Sequence, residues 1–489
     1  MYLNSNDNTK LEEQSTTFLV VGGGIAGVSC AETLALYHQE ERIILLTESN
    51  VIKTVANLEP VARYIYKFDV KEHSLNDKNS ETIGLAPTIT TIVDQLQHIE
   101  ALENRVITKD GRIILYKSIC LCTGAKPQLI RGDNPRVIGI RDTDSVLNLQ
   151  QRLKDATTVI LLGNGGIASE LAYELRGVEV HWVVKDGHIA STFVDPGAAF
   201  FFQESWRHKS KDGCTSGTSS SPKSILKRLR YDESLVDQSK GAIKHGAALG
   251  PDWHIKFALQ GNASTSLESP VMHFKTYVQD LTEKDSCLLV TLANGEQIKC
   301  NFLVSATGVE PRHDYSCSLS LTIASDGGFA VNEMMETNVK DIYAAGDVCT
   351  SSWEPGENWF QMRLWTQARQ MGSMAGRSMG AKLMNEIIYQ DFCFELYGHV
   401  TQLFGYSVVL LGRYNGQGLG TNYEILLRTT PQKEYIKFVI QNGRLRGAVL
   451  IGNTELAETC ENLILNGIDL TPYGDDILNP DIDIDDYFD

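Results

Sequence analysis

Three observations predict an α/β protein with two doubly wound parallel-sheet domains and a C-terminal α+β domain. A strand, glycine-rich turn, helix and strand occupy residues 17–46. The same order returns at residues 158–184. Beyond residue 390 the texture changes to short strands joined by hairpin signals.

Each element has a local reason. Residues 17–21 (TFLVV) are an apolar run ending in Gly22-Gly23-Gly24, and Ala26, Val28, Ala31, Leu34 and Ala35 follow at helical spacing. Ile43 to Leu46 is a second buried strand. In the repeat, Val159 to Leu162 is a strand, Gly163 to Gly166 a turn, Ile167 to Leu175 a helix and Val180 to Val184 a strand. Residues 205–265 are rich in Ser, Lys, Gly and Thr and read as a flexible insertion in the second domain. Within it, Lys227-Arg228-Leu229-Arg230 is either a solvated basic loop or an import signal. Strands are expected at 407–411, 435–440 and 447–451, with Asn442-Gly443 as the hairpin turn between the last two, and a helix at 454–465. The final residues, 475–489, carry seven Asp interleaved with Ile, Tyr and Phe. They read as a solvated acidic tail, with a docking peptide as the alternative.

Composition narrows the function classes. The 489 residues are a prior for roughly three domains of about 150 residues. Hydrophobic content is 42% and charged content 21%, enough for real cores. A formal net charge of -17 argues against a nucleic-acid or membrane surface. The ten cysteines are dispersed, with no CxxC and no zinc spacing, so reduced thiols and no metal site are expected. With no secretory or mitochondrial presequence pattern and no long apolar run, the expected location is cytoplasm and nucleus.

Four motifs carry the chemistry. In Gly22-x-Gly24-x-x-Gly27 the first glycine allows a tight turn. The second lets backbone approach a pyrophosphate, and the third lets helix pack on strand. The acid expected about 20 residues on, for ribose hydroxyls, is assigned to Glu48, one residue past Thr47 at the strand end. Gly163-x-Gly165-x-x-Ala168, followed by Glu170, repeats the pattern. No acid is read at the tip of its second strand. Lys185 there either meets a 2′-phosphate or is an exposed turn lysine, so NADH against NADPH stays open. The third motif is a pair of strand-to-glycine segments, at Cys122-Thr123-Gly124 and Ala306-Thr307-Gly308. In the fourth, Ile342 to Asp347, a short strand leads to Gly346-Asp347. Asp347 is placed either to accept hydrogen bonds from a ligand or to cap the next helix.

In this order and spacing, over roughly residues 16–380, the four motifs resemble the FAD/NAD(P)-dependent pyridine-nucleotide disulfide oxidoreductase superfamily. The resemblance implies Rossmann-like dinucleotide-binding domains, with residues 1–150 and 305–385 as a discontinuous FAD domain. Residues 151–304 would form the NAD(P)H domain and 386–489 the C-terminal domain. It assigns Gly22, Gly24, Gly27, Glu48, Thr123, Gly124, Gly346 and Asp347 to FAD, and Gly163, Gly165, Ala168 and Gly308 to NAD(P)H. Lys53 resembles a basic residue that some members place near FAD, the alternative being an exposed lysine. Glu170 matches an acid near flavin and nicotinamide and is the candidate catalytic residue. Trp365 and Gln367 belong to the helix that borders the flavin in the family, and a buried aromatic anchor is the alternative for Trp365.

One departure decides the chemistry. Disulfide reductases carry CxxxxC after the first domain's second strand, and no cysteine lies here between Cys30 and Cys120. The only close pair is Cys120-x-Cys122, and residues two apart in a strand rarely bring their sulfurs together. Both are therefore read as buried strand residues, the alternative for Cys122 being a place near the flavin. The resemblance then implies an NAD(P)H-dependent flavoenzyme without a dithiol relay, protecting a partner, the tRNA ligase complex, from oxidative inactivation. The alternative is a redox-gated binding module, in which NAD(P)H-reduced FAD controls partner binding with little turnover.

Overall fold

The computed structural model describes residues 13–76, 85–209, 225–230, 269–284 and 286–479. Its first sheet has eight strands around a parallel centre. Ile113–Leu121, Glu13–Val21, Ile43–Thr47 and Ile89–Val93 lie side by side in that order. Phe18, Leu19 and Val20 and the whole run Ile43 to Leu46 have no exposure. Such unbroken apolar runs belong to strands covered on both faces. Ile342–Ala344 joins the same sheet, with Ile342 opposite Ile119 and Ala344 opposite Leu121. This domain is thus assembled from two distant stretches of chain.

One cover is a helix pair. Trp365–Met384 lies against Ile25–Tyr37. Gly372 makes the approach possible, because a Cβ there would fall 2.2 Å from the Ala26 carbonyl oxygen.

The second sheet is all parallel, in the order Val137–Ile138, Phe302–Ser305, Thr158–Leu162, Glu179–Val184 and Val271–Phe274. Val137–Ile138 pairs with Phe302–Ser305, and Val146, Leu149 and Leu153 of helix Thr143–Leu153 share a core with Val159 and Leu161. Residues 137–150 therefore belong to the second domain, which corrects the expected boundary at residue 150. Likewise Ser305 closes a second-sheet strand. The two chain crossings between these domains, Ala125–Pro127 and Val309–Pro311, pair with each other antiparallel.

The C-terminal domain is a six-stranded antiparallel sheet backed by helix Ala457–Asn466. Its three expected strands fall inside Tyr406–Gly412, Glu434–Gln441 and Arg444–Ile451. Asn442 and Gly443 have φ of 53° and 71°, as a two-residue hairpin turn demands. Its edge strand brings a correction. Ile225–Arg230, expected in a flexible insertion of the second domain, pairs antiparallel with Glu424–Thr430. Paired edge backbone replaces the loop expected at 227–230. The rest of the expected insertion beyond Lys209 lies outside the described residues. So do tail residues 480–489, but Ile477 and Leu478 are buried, so the tail is docked at its start. Among the described residues no helix is long and apolar enough to cross a membrane.

Candidate dinucleotide-binding cleft

The strand Glu13–Val21 runs into Gly22, whose φ of 122° strains any L side chain. At Gly27 a Cβ would fall 1.9 Å from the Gly22 carbonyl oxygen, so helix and turn can meet only through glycine. Gly24 is the N-cap of helix Ile25–Tyr37, and no side chain caps it. Nothing lies within 4 Å of where its Cβ would be. The first N–H groups of the helix therefore face open space, with the partial positive charge of a helix start behind them.

That space is a cleft of about 640 Å³, lined by Gly22, Gly24, Glu48, Lys53, Thr123, Gly124, Asp347 and Trp365. Eight of the eleven residues expected at FAD thus come together from four separate stretches of chain. Glu48 follows the strand Ile43–Thr47, while Thr47 is buried beneath the glycine turn. The Glu48 carboxylate is 2.6 Å from Arg312. Lys53 is no free surface lysine. Its N–H donates to the Gly23 carbonyl at 2.9 Å and its ammonium is 3.4 Å from Glu72. Burial pulls its pKa below the ordinary lysine value, with Glu72 acting in the opposite direction.

Asp347 lies in the one-turn segment Gly346–Val348, and the next long helix begins only at Trp365, so it does not cap that helix. Its carboxylate pairs with Arg141, which also donates from Nε to the Ala125 carbonyl at 3.0 Å. Both side chains are about nine-tenths buried, at 11% and 8% exposure. The remaining Arg141 nitrogen, Nη1, is buried with no hydrogen-bond partner. A buried guanidinium N–H without an acceptor is costly unless a ligand supplies one. The unsatisfied guanidinium, the uncapped helix start and the carboxylate beside them fit a dinucleotide diphosphate flanked by hydroxyls.

Three expected residues do not line the cleft. Gly27 and Gly346 shape it from behind, and a Cβ at Gly346 would meet the Ala26 side chain at 2.7 Å. Gln367 is a correction. Its side chain accepts from the Met362 N–H at 2.6 Å and donates to the Phe360 carbonyl at 2.8 Å, tying a loop to its helix. Trp365 is both anchor and wall. It is 5% exposed, lines the cleft, and packs on the His399 ring at 4.8 Å. His399 is fully buried, and burial pulls its pKa down to about 3.

The second glycine turn has the same build. Gly163 has a φ of 128°, and Gly165 caps helix Gly166–Glu174 without a side-chain bond. Ala168 is buried, Glu170 is 6% exposed, and Gly308 leads into the crossing strand Val309–Pro311. Lys185 is exposed. The absence of an acid at this strand tip needs correction. Asp186, two residues past Val184, turns its carboxylate back to the glycine turn, accepting from Asn164 at 2.8 Å and Ser191 at 2.6 Å.

A second correction concerns sulfur. The Cys120 and Cys122 sulfurs lie 3.5 Å apart, with Cys122 just past the end of strand Ile113–Leu121 and its N–H donating to the Val21 carbonyl at 2.8 Å. Sequence reasoning also missed Arg141 and Arg312. Arg141 meets Asp347 across 206 positions, a separation that leaves no local pattern.

Comparisons with known proteins agree with this geometry. The family model for pyridine nucleotide-disulphide oxidoreductase matches residues 16–228 and 271–372, and that for the rubredoxin NAD+ reductase C-terminal domain matches 401–468. The chain is 58% identical to pyridine nucleotide-disulfide oxidoreductase domain-containing protein 1 of Drosophila melanogaster, over 96% of this chain and 99% of that one. To the Homo sapiens protein of the same name it is 45% identical, over 96% and 98%. Among solved structures, a ferredoxin reductase for the CYP199A2 system from Rhodopseudomonas palustris aligns with a TM-score of 0.65 at 17% identity, covering 96% of this chain and 99% of that one. NADH:rubredoxin oxidoreductase from Clostridium acetobutylicum aligns at 0.57 and 16%, covering 94% and 97%. At such identities the structures show a shared fold.

Proposed function

Since the chain belongs to the pyridine nucleotide-disulphide oxidoreductase family, with FAD as cofactor and NADH or NADPH as electron donor, we propose that it is an NAD(P)H oxidoreductase that works without the family's CxxxxC and protects a partner from oxidative inactivation. The observation that carries this reading is the cleft itself. Helix start, Arg141 and Asp347 converge there with no CxxxxC in the sequence.

Bound FAD supplies two-electron transfer between the nicotinamide and an acceptor. The chain supplies binding and orientation. The N–H groups after Gly24, with Arg141 Nη1, would hold the diphosphate, and Asp347 and Glu48 would accept from hydroxyls. Lys53 would add positive charge at one wall, and Trp365 would exclude water at another. The second glycine turn, from Gly163 to Ala168, would receive the nicotinamide nucleotide's diphosphate, with Glu170 orienting the ring. The protected partner, on the family resemblance, is the tRNA ligase complex, whose metal-bound cysteine is oxidation-sensitive, and the setting is cytoplasm and nucleus.

Anaerobic titration of the yellow protein with NADH, then NADPH, then air tests the reading directly. Bleaching by one coenzyme and recovery in air are expected; a folded protein that refuses FAD overturns it. Adding the protein and coenzyme to a peroxide-treated ligase complex tests the partner, and retained ligation activity is expected. A long-lived reduced protein with negligible turnover, and ligase binding only when NAD(P)H is present, would instead favour the gated-binding alternative.

A further inference from the structure

A single buried ring touches all three domains. His399, from strand Gly398–Leu403 of the C-terminal sheet, has no exposure. It packs on Trp365, a wall of the FAD cleft, with ring centroids 4.8 Å apart. Its Nδ1 lies 3.2 Å from the Thr366 hydroxyl in the same helix as Trp365. It also stacks on Phe193 of the second domain, at 6.0 Å and an interplanar angle of 22°. Phe193 in turn rests on the second glycine turn. A Cβ at Gly166, the first residue of helix Gly166–Glu174, would fall 3.3 Å from its ring. Gly166, Phe193, His399 and Trp365 thus form a line of contact from one nucleotide site to the other.

The loop that carries Phe193 is tied both to the glycine turn and to the C-terminal domain. The Thr192 hydroxyl donates to the Asn164 carbonyl at 3.4 Å, and the Thr192 carbonyl accepts from the Tyr414 hydroxyl at 3.0 Å. Asn164 Nδ2 donates to the His188 carbonyl and to the Ser191 hydroxyl, each at 2.8 Å. Ala190 is fully buried with a φ of 52°, a left-handed conformation that alanine keeps only when its surroundings enforce it. Asn164 stands inside the glycine motif. A diphosphate settling on the N–H groups after Gly165 therefore meets the residue that ties this loop. Close-packed side chains have little room to absorb a shift, so a change in the loop is passed to the ring stacked on it.

We infer that His399 is a positioning residue that couples the two nucleotide sites: coenzyme at the second glycine turn orders the Phe193 loop, and the His399 ring then holds Trp365 against FAD. The inference rests on the FAD and NAD(P)H reading above. Each ligand removes freedom that the other would otherwise have to remove, so each tightens the other's binding by the same factor. The FAD cleft is then firmest when an electron donor is bound, and the cofactor is retained through turnover.

ADP-ribose and its 2′-phosphate report this coupling, because they carry the coenzyme's diphosphate without the nicotinamide ring that would meet the flavin. The FAD-loaded full chain is diluted, and flavin release is followed by fluorescence with and without saturating nucleotide, whose binding is recorded by calorimetry. In the wild type the nucleotide should slow release about fivefold or more. His399→Leu and Phe193→Leu remove a ring but keep an apolar side chain. Each should bring that ratio to within about twofold of one, and the double variant should go no further. A role in stability alone would speed release equally in both conditions and leave the ratio at its wild-type value, which overturns the inference. A wild-type ratio of one with nucleotide bound overturns it too, and leaves the flavoenzyme reading intact. A folded wild type that binds no FAD, or neither nucleotide, overturns both. Either single variant decides the matter if the other fails to fold.

Discussion

The sharpest consequences at the scale of single residues concern buried charge. Asp347 and Arg141 pair beside the cleft, and each is the other's main compensation for burial. Asp347→Ala should cost about 1.5–3 kcal/mol of FAD binding, roughly a tenfold to hundredfold loss, read as flavin released on dilution. His399 gives a pH prediction. Burial holds its folded pKa at about 3, against 6.5 unfolded. Because the folded pKa of this base is depressed, the unfolded chain binds the proton first. Stability is therefore full above pH 6.5 and falls as pH drops toward 3. Between pH 6.5 and 5 the loss from this residue is about 2 kcal/mol. His399→Leu should flatten that part of the acid-unfolding curve, followed by near-UV circular dichroism. The cleft residues next to glycine motifs were legible in sequence, because a turn's demands are local. His399, Arg141 and the true role of Gln367 were not, since each depends on a partner from another stretch of the fold.

Elements show where patterns suffice and where they fail. Both strand–turn–helix units and the Asn442-Gly443 hairpin could be read directly, because period and turn chemistry are properties of a few neighbouring residues. The strand Ile225–Arg230 was hidden because its reason to exist is an edge some 200 residues later, Glu424–Thr430. Its pairing predicts that amides within 225–230 exchange with deuterium more slowly than those of an open loop, as hydrogen-exchange mass spectrometry would read. Unprotected amides throughout would remove the strand. The helix pair makes a second prediction. Gly372→Val places a side chain against the Ala26 backbone and should cost more than about 2 kcal/mol in thermal unfolding. Gly132→Ala, with nothing within 4 Å, should stay within about 0.5 kcal/mol of wild type.

At the scale of the whole molecule, the second and C-terminal domains are joined by a buried polar contact as well as by apolar packing. Lys437 of the C-terminal sheet is 1% exposed and holds Asp195, which lies just before helix Pro196–Lys209 of the second domain, and Asn415 at 2.7 Å. Burial alone would raise Asp195, but the adjacent Lys437 overrides it and the carboxyl sits below the usual range. Lys437→Met should cost about 3–5 kcal/mol by leaving that carboxylate unpaired, and adding Asp195→Asn should recover much of it. Recovery measured by denaturant unfolding would separate a charge effect from a packing effect. Domain count and order were readable from duplication of the glycine motif. The boundary near residue 150 was not, because Val137–Ile138 is too short a strand to stand out from the connection around it.

The return of Ile342–Ala344 to the first sheet has a consequence for biosynthesis. Its partner strand ends at Leu121, so roughly 220 further residues must leave the ribosome before the sheet can be completed. At about 5–20 residues per second, the nascent chain spends some 10–40 s with the Ile119–Leu121 part of that strand's edge bare and without Asp347. During that interval the exposed backbone is open to pairing with other chains, and a message truncated before codon 342 yields a product that lacks the sheet's last strand, Asp347 and the covering helix Trp365–Met384 together.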